Sequence, residues 1–470
     1  MPNLALEITA AILVLGCWAA ILPRWRRGLE LFILFTPFAG LIEAHLYPAP
    51  WAVLIKDVLF AIPAYLGFAL SGELGYALSG IPRSVGTILL FFVAVILVQS
   101  FNPSGPGLLA TLVGLKVWLF YVPMILLGRA YVRNRASLLR LTRLMTCLVW
   151  LPCAAGILEW MLSLAIGYQR AIGLFYGEAA AAATQGFVRF DNGLMRIPGT
   201  FAFPAQYLLY ILCMFVPVLG CMALEKNARW RAIRGADLAL LCVAGLMTGE
   251  RGAFVMLPLL LAAFYALRRG ALGLVWAGLG LIAALFLVLS VSGIDPEGLL
   301  HMESDLSQSY AVSQGSEIKD AFAWLGGGVG SDTGAARVVS EDLAPTRGFE
   351  GYYAESLAEL GVVGLAVALA IQVALLLSAL SVRAMIAGTD IKPYAEAAAA
   401  FIALALVYNY KGPVVRLDPA NMLYWLFAGM LFSLPQAIAV EGRDQPIFFD
   451  ALTFPQSSAS AVARLRSTQI

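Results

Sequence analysis

Apolar runs long enough to cross a membrane recur along almost the whole chain, and they constrain its fold more than any other feature. A helix needs about 20 apolar residues to span the roughly 30 Å hydrocarbon core of a bilayer. The composition agrees, because 61% of the 470 residues are hydrophobic and only 13% are charged. The sequence therefore predicts an all-α, polytopic integral membrane protein.

The apolar runs predict about 12 or 13 transmembrane helices. They occupy residues 4–22, 29–46, 51–71, 84–100, 108–128, 144–168, 201–224, 236–249, 253–267, 271–293, 352–381, 394–410 and 420–438. Two of them, 236–249 and 253–267, are short and nearly continuous, so they predict either two full helices or a broken pair of half-spans. We predict a single transmembrane domain over residues 1–438 and a disordered cytoplasmic tail over 439–470.

Arginine and lysine residues cluster after every second run, and this pattern predicts the orientation of the helices. Short cytoplasmic loops of membrane proteins accumulate these residues. The basic clusters lie near residues 24–27, 83, 129–143, 226–234, 268–269 and 383–392. The other connections are poor in basic residues for their length, so we expect them outside, with the N-terminus outside and the C-terminus inside. Two of these external segments are long, 169–200 and 294–351.

The rest of the composition excludes several classes of function. All six cysteines lie inside apolar runs, where a free cysteine behaves as a small hydrophobe, so no disulfide framework is expected. Only two histidines occur, His45 and His301, which argues against a histidine-based metal or catalytic cluster. We therefore predict neither a metal nor a cofactor. The net charge is +2 and topology explains the basic clusters, so nucleic acid is not an expected partner.

A few charged residues lie inside the predicted spans, where topology does not explain them. Lys56 and Asp57 fall in the third span, Lys116 in the fifth and Glu159 in the sixth. Charges at membrane depth are costly, so they pair with one another or mark a substrate path. For Lys56 and Asp57 two interpretations stay open, a polar pair that ties two helices together and a contact with substrate. Glu159 has the simpler interpretation of a helix-packing or capping residue.

Arg251 lies between two apolar runs on the predicted external side, where positive charge is disfavoured. Gly249 and Gly252 flank it and allow a backbone or a ligand to approach closely. An arginine that opens a helix combines a guanidinium fork for phosphate oxygens with the positive end of the helix dipole. We predict that Arg251 binds an anionic ligand, and the alternative is a structural ion pair with Glu250.

The external segment 169–200 carries two further candidates, Arg189 and Arg196. Arg196 precedes a turn of proline and glycine that leads into the span 201–224, and we expect the segment to lie along the membrane surface. One interpretation is contact with lipid headgroups. The other is that Arg196 and Arg251 converge on one anionic group.

The longest polar interruption covers about residues 293–352 and runs straight into the next span. Its end reads Arg347-Gly-Phe-Glu350-Gly-Tyr-Tyr-Ala-Glu355. Irregular backbone must lie in water or inside protein. The charged end of this segment is therefore where a membrane enzyme would keep its chemistry.

Three segments together resemble the bacterial O-antigen ligase and O-antigen polymerase superfamily. Arg196-Ile-Pro-Gly-Thr-Phe-Ala-Phe-Pro resembles the family's arginine followed by Gly-Thr-Phe-x-x-Pro-Asn, and Thr248-Gly-Glu-Arg251-Gly-Ala resembles its Ser/Thr-x-Ser-Arg-Gly-Ala segment. In the third segment, the glycine run 326–331 resembles a Gly-x-Gly turn. The sequence after it, 350–365, resembles the family's His-Asn-x-Tyr-Leu and Glu-x-Gly-Leu-x-Gly motifs.

The resemblance implies a metal-independent glycosyltransferase of the bacterial inner membrane, with its active site facing the periplasm. The implied donor is an undecaprenyl-diphosphate-linked oligosaccharide, and the other implied partners are membrane lipid and polysaccharide-assembly proteins such as a flippase or a chain-length regulator. Arg196 and Arg251 would hold the diphosphate and Glu350 would take the proton of the acceptor hydroxyl. The implied substrate-binding residues are Arg189, Arg347, Tyr352, Tyr353, Glu355, Lys56 and Asp57.

One departure from the family pattern affects the predicted reaction. Glu350 stands where the family usually has a histidine. A carboxylate can serve as a base if its pKa suits. Since the ligase resemblance is strongest when that histidine is kept, we favour polymerisation of repeat units. Transfer of glycan to a lipid or protein acceptor, transport of a lipid-linked sugar, and a structural or sensory role without catalysis are the alternatives.

Overall fold

The computed structural model is helical, without strands, throughout the residues that it describes. These are residues 2–46, 49–178, 195–250, 252–270, 315–334 and 348–444, with single positions 272, 275, 278 and 279. The helices are α1 (Pro2–Ile21), α2 (Trp25–Phe35), α3 (Ala39–His45), α4 (Ile62–Leu70), α5 (Leu74–Ser79), α6 (Arg83–Ser100), α7 (Leu108–Leu119), α8 (Met124–Tyr131), α9 (Arg135–Ile166), α10 (Tyr168–Tyr176), α11 (Pro204–Cys221), α12 (Ala228–Met247), α13 (Ala253–Arg269), α14 (Tyr352–Met385), α15 (Lys392–Tyr408) and α16 (Ala420–Asp444).

Eight helical runs within the described ranges are long and apolar enough to cross a membrane. They are Ala11–His45, Trp51–Leu70, Arg83–Ser100, Leu108–Tyr131, Arg135–Ile166, Pro204–Cys221, Tyr352–Met385 and Ala420–Ala439. The prediction of an all-α, polytopic membrane protein is thereby confirmed. Most of the predicted span 271–293, most of the external segment 294–351 and the tail beyond residue 444 lie outside the described residues.

The first of these runs contains a chain reversal. In α1, Trp18 donates a hydrogen bond to Val58 and Leu22 lies against Gly67, so α1 runs in the same direction as α4. In α2, by contrast, Gly28 lies against Ala64, which precedes Gly67, and Phe35 stacks near Phe60. The two helices are therefore antiparallel, and the 3₁₀ turn Leu22–Arg24 joins them. The proline in that turn supports the break, because its ring fixes φ and removes an N–H donor.

The adjacent runs 236–249 and 253–267 form two separate helices, α12 and α13. The first starts earlier than its apolar run and is 20 residues long, which corresponds to about 30 Å. The second has 17 residues. Their junction contains Gly249 in the left-handed region at φ 66°, a conformation that glycine adopts at little cost. Neither helix is among the eight runs that are long and apolar enough to cross a membrane, so both sequence-based alternatives, two full spans and a broken pair of half-spans, stay predictions.

Helix α11 lies at the centre of the bundle, since 89% of its most apolar window is buried. It packs against α9, α12, α13, α15 and α16. Another close contact joins α8 to α16, where Gly128 lies against the carbonyl of Leu426 and Gly429 against that of Ile125. A β-carbon at either glycine would overlap the facing backbone. Small residues of this kind allow membrane helices to approach closely.

The loops segregate to two ends of the bundle in the way that the basic-residue pattern predicts. At one end, Arg26 and Arg133 both pair with Glu73, and Arg135 pairs with Asp390. All of these residues belong to connections that the pattern assigns to the cytoplasmic side, or follow directly from them. At the other end, connections assigned to the external side contact one another, as described below for the candidate site.

Candidate functional site

The first motif segment is anchored by backbone and carboxylate contacts just before α11. The amide of Ile197 donates to the carbonyl of Thr248 at 2.9 Å, which joins this segment to the turn between α12 and α13. The amide of Gly199 donates to Oε2 of Glu159 at 3.0 Å, and the hydroxyl of Tyr168 donates to the carbonyl of Arg196 at 2.9 Å. Glu159 is fully buried and thus has the packing and capping contacts predicted for it.

Arg196 faces the second motif segment. Its Nη2 atom lies 3.5 Å from Oε2 of Glu250, and the two side chains are 24% and 16% exposed. Arg251 itself lies outside the described residues, but it directly follows the residue that Arg196 touches. The structure therefore brings the first two motif segments together.

Gly249 makes this approach possible, and its replacement by alanine is expected to separate the two segments. A β-carbon there would overlap the carbonyl of Met195, and the φ of 66° disfavours any side chain. We expect Gly249→Ala to cost at least about 1–2 kcal/mol of stability and to lower the thermal unfolding midpoint. The matched control is Gly235→Ala on α12, where a β-carbon meets open space. Equal midpoints for the two variants would contradict the packing described here.

The third motif segment meets the second at the end of α15. A β-carbon on Gly252 would lie 2.8 Å from the hydroxyl of Tyr408, the last residue of that helix. The amide of Tyr353 donates a hydrogen bond to the carbonyl of Asn409, the residue after Tyr408, at 3.3 Å. Glu350 lies at the exposed entry to α14, three residues before Tyr353. The three segments singled out in the sequence thus converge on one end of the bundle.

The glycine run is docked on α14 by the buried carboxylate of Glu359 and by backbone hydrogen bonds from Gly327 and Gly328 to carbonyls of that helix. Glu359 accepts hydrogen bonds from the amides of Gly330 and Asp332 at 3.0 and 2.9 Å, and from the hydroxyl of Thr333 at 2.7 Å. A fourth bond comes from the indole N–H of Trp118 at 2.7 Å. The glycine run is therefore a turn held against the helix. Its backbone amides bind a carboxylate of the protein, whereas the backbone amides of glycine-rich phosphate-binding loops bind a phosphate group.

The same turn is tied to the segment that carries Glu350. Both carboxylate oxygens of Asp332 accept backbone hydrogen bonds, from Gly348 at 3.0 Å and from Phe349 at 3.1 Å. The side chain of Asn102, in a connection predicted to be external, donates to the carbonyl of Gly326 at 3.1 Å. These bonds fix the backbone immediately before Glu350, so this side chain projects from a rigid base.

Tyr352 and Glu355 are buried behind Glu350, next to an arginine that the sequence-based reasoning missed. Arg416, in the loop before α16, forms an ion pair with Glu355 and lies 5.9 Å from the ring centre of Trp118. Tyr352 packs against the same indole at 5.4 Å. Burial lowers the pKa of Arg416 to about 10, while the nearby Asp332 and Tyr352 act to raise it, so the guanidinium stays protonated at neutral pH.

Lys56 and Asp57 belong to a network of ion pairs that reaches the same loop. Lys56 pairs with Asp418, and Lys116 lies 2.8 Å from Asp57. The hydroxyl of Tyr121 bridges the two pairs, donating to Asp57 at 2.6 Å and lying 3.3 Å from Asp418. The pairing agrees with the interpretation that these charges tie helices together. Whether substrate also contacts Lys56 and Asp57 stays a prediction.

Glu43 on α3 links this network to the first motif segment. It interacts electrostatically with Lys56 and Asp418. Two residues earlier, the amide of Leu41 donates to the carbonyl of Thr200 at 3.2 Å. Helix α3 therefore lies between the buried ion pairs and the turn that carries Arg196.

The predicted site residues fall into three sets. Arg196 lies beside Glu250, while Lys56, Asp57, Tyr352 and Glu355 gather around the loop that carries Arg416 and Asp418, with Tyr353 and Glu350 next to them. The third set lies outside the described residues and comprises Arg189, Arg251 and Arg347.

The sequence-based reasoning missed Arg416, Asp418, Tyr121, Glu43 and the docking role of Glu359. A signal for Arg416 existed, because it is a basic residue in a short connection predicted to be external, the same argument that singled out Arg251. Among the described residues, no group of three or more histidine, cysteine or acidic side chains is arranged to hold a metal ion.

Comparison with known proteins adds no further identification. No protein-family model matches the chain, and no curated protein matches it.

Proposed function

We propose that this chain is a polymerase that joins undecaprenyl-diphosphate-linked oligosaccharide repeat units at the external face of the bacterial inner membrane. The observation that carries the proposal is the convergence of the three motif segments at one end of a bundle of membrane-spanning helices. Arg196 lies beside Glu250, and Gly252 lies against Tyr408. Asn409, which follows Tyr408, accepts a hydrogen bond from the amide of Tyr353. Segments far apart in the sequence are thereby brought to the same end of the bundle.

In this proposal Arg196 and Arg251 bind the diphosphate of the donor. Negative charge develops on the diphosphate as the bond to the sugar breaks, and fixed cations stabilise it without reorganisation. Arginine suits this task because its planar fork presents paired N–H donors to phosphate oxygens. The contact with Glu250 orients the guanidinium of Arg196. Apolar side chains exposed on α13, such as Val255 and Leu259, offer a surface for the lipid chain.

Glu350 acts as the base in the same scheme. An acceptor sugar hydroxyl attacks the anomeric carbon of the donor, its proton passes to the Glu350 carboxylate, and undecaprenyl diphosphate leaves from the opposite face. The exposure of Glu350 allows an acceptor to reach it, and the bonds from Gly348 and Phe349 to Asp332 hold its backbone in place. Sugar contacts by Tyr352, Tyr353 and Glu355 stay predictions, and their burial favours a supporting role.

Replacement of Glu350 by glutamine tests the assignment of the base. The amide keeps the size of the side chain but cannot accept the proton, so we expect a loss of about 100-fold or more in the rate of transfer. Binding of the donor, measured by titration of the lipid-linked oligosaccharide, should stay within about twofold of the wild type. If donor binding is lost as well, Glu350 does not act as the base.

The proposal is tested by release of undecaprenyl diphosphate from the donor by Arg196→Ala protein in lipid nanodiscs. We expect release to fall by about 100-fold, the scale on which loss of one charge-stabilising group acts. The matched control is Arg170→Ala, an exposed arginine of the same external segment, which should release at the wild-type rate. Unchanged release by Arg196→Ala would remove this residue from the site.

A transporter of lipid-linked sugars is the second candidate, and the buried ion pairs of Lys56 and Lys116 are the observation that favours it. Ionisable residues within membrane helices mark transport paths in many carriers. Here, however, both lysines are paired with aspartates, and Tyr121 bridges the two pairs. This arrangement fits a fixed structural network better than a path that substrate must open.

A further inference from the structure

A cavity of about 270 Å³ lies at the end of the bundle remote from the candidate site. Helices α13 and α15 connect the two, because each has one end at the site and the other at the cavity. Each is 17 residues long, so the separation is about 25 Å. The cavity is lined chiefly by charged and polar side chains, namely Arg268, Arg269, Thr389, Asp390, Lys392 and Glu396.

One buried carboxylate organises the cations around this cavity. Glu396 is 1% exposed and receives Nη1 of Arg268 at 3.4 Å, Nε of Arg383 at 3.3 Å and Nζ of Lys392 at 3.3 Å. These contacts are long and mostly through single atoms, and the three cationic side chains remain 29–31% exposed. One negative charge therefore holds three positive charges in place and neutralises only part of their field.

Two further features add to the positive field. Arg269 lines the cavity, is exposed, and forms no ion pair within the described part of the chain. Helix α15 begins at the cavity with Lys392 and Pro393, so the positive end of its dipole points there. The other acidic residue in the lining, Asp390, is already paired with Arg135. The cavity thus has an excess of positive charge and the shape of a pocket.

The position of the cavity indicates what kind of anion it takes. Apolar side chains are exposed on the helices around this pocket, including Leu259 on α13 and, near the end of α14, Leu377 and Met385, of which Met385 is 65% exposed. The cavity therefore lies where the apolar belt of the bundle gives way to its basic end. A ligand with a phosphate group and acyl chains matches both surfaces, and basic pockets between membrane helices bind such headgroups.

We propose that this cavity binds the phosphate group of an anionic phospholipid in the leaflet on the basic side of the membrane. Arg268, Arg269 and Lys392 contact the phosphate oxygens, and Glu396 holds Arg268 and Lys392 in position. The site is independent of the proposed glycosyl transfer and would exist whatever the reaction of this protein. Bound lipid would cross-link the ends of α13, α14 and α15 and so stabilise the bundle.

The test compares wild-type protein with Arg269→Glu and with Arg231→Glu, in nanodiscs of phosphatidylcholine with increasing phosphatidylglycerol. Arg231 is the matched control, because it is an exposed arginine in a predicted cytoplasmic cluster but does not line the cavity. We expect phosphatidylglycerol to raise the unfolding midpoint of wild type and Arg231→Glu. For Arg269→Glu, the phosphatidylglycerol concentration needed for the same rise in the unfolding midpoint should be higher by about tenfold or more. Native mass spectrometry should show one retained phosphatidylglycerol in the first two proteins and less in the third.

Two results would overturn the proposal. The first is an equal effect of phosphatidylglycerol on all three proteins, which would indicate general attraction of the lipid surface to basic loops. The second is full stabilisation by inorganic phosphate in phosphatidylcholine alone, which would assign the cavity to a soluble anion. If Arg269→Glu fails to fold, Lys392→Gln serves in its place, because Arg268 and Arg383 still neutralise Glu396.

Discussion

Replacing Arg416 by methionine is expected to destabilise the protein by about 3–5 kcal/mol, the cost of leaving one partner of a buried ion pair uncompensated. Glu355, its partner, is 1% exposed and sits inside α14, where no water can replace the guanidinium. The contact of Arg416 with the face of Trp118 would be lost as well. The measurement is the thermal unfolding midpoint of the purified variant in detergent, supported by its yield in the membrane.

The matched control for this experiment is the double variant Arg416→Met/Glu355→Leu. Replacing both partners of a buried pair by apolar side chains is often neutral or stabilising. We therefore expect the double variant to regain most of the stability lost by the single one. A single variant as stable as the wild type would show that Arg416 and Glu355 do not depend on each other, and the described packing of this loop would be wrong.

Replacing Arg251 by alanine is expected to abolish polymer formation, with turnover reduced by about 100- to 1000-fold. In the proposed reaction this residue and Arg196 are the fixed cations that stabilise the leaving diphosphate, and alanine supplies no charge. The amount of folded protein in the membrane should be unchanged, because the proposed role of Arg251 is to bind the ligand. Turnover is measured as undecaprenyl diphosphate released per protein in nanodiscs.

Arg170→Ala is again the control, since it removes an exposed arginine from the predicted external side. Its turnover should equal that of the wild type, and Arg251→Lys should recover only a small part of it, because a lysine lacks the fork of the guanidinium. Normal polymer from Arg251→Ala would exclude this residue from the site. A variant that fails to reach the membrane would instead assign Arg251 a structural role.

The fold was largely predictable because membrane insertion follows local sequence. Each apolar run forms its own backbone hydrogen bonds as a helix, so runs such as 84–100 and 201–224 could be located from hydropathy alone. The distribution of basic residues also predicted which loops meet at each end. The junction between α12 and α13 was ambiguous, because a short polar turn between two apolar runs fits both a broken span and a complete reversal.

The candidate site was less predictable because its contacts join residues far apart along the chain. Trp118 and Glu359 are 241 residues apart, and Tyr121 and Asp418 are 297 apart. Nothing local in the sequence indicates that Glu359 would accept four hydrogen bonds, since in a helix of this composition an acidic residue could equally face solvent. The convergence of Arg196 and Arg251 on one anionic group was foreseen only as one of two interpretations of Arg196.

The most direct test of the proposed function is the length of the product made by wild-type protein in nanodiscs supplied with undecaprenyl-diphosphate oligosaccharide. The proposal predicts a ladder of products that grow by one repeat unit, with one undecaprenyl diphosphate released for each bond formed. Single transfer to an added lipid acceptor, without a ladder, would identify a ligase. Absence of release with any acceptor, despite folded protein and bound donor, would contradict glycosyl transfer and favour a transporter.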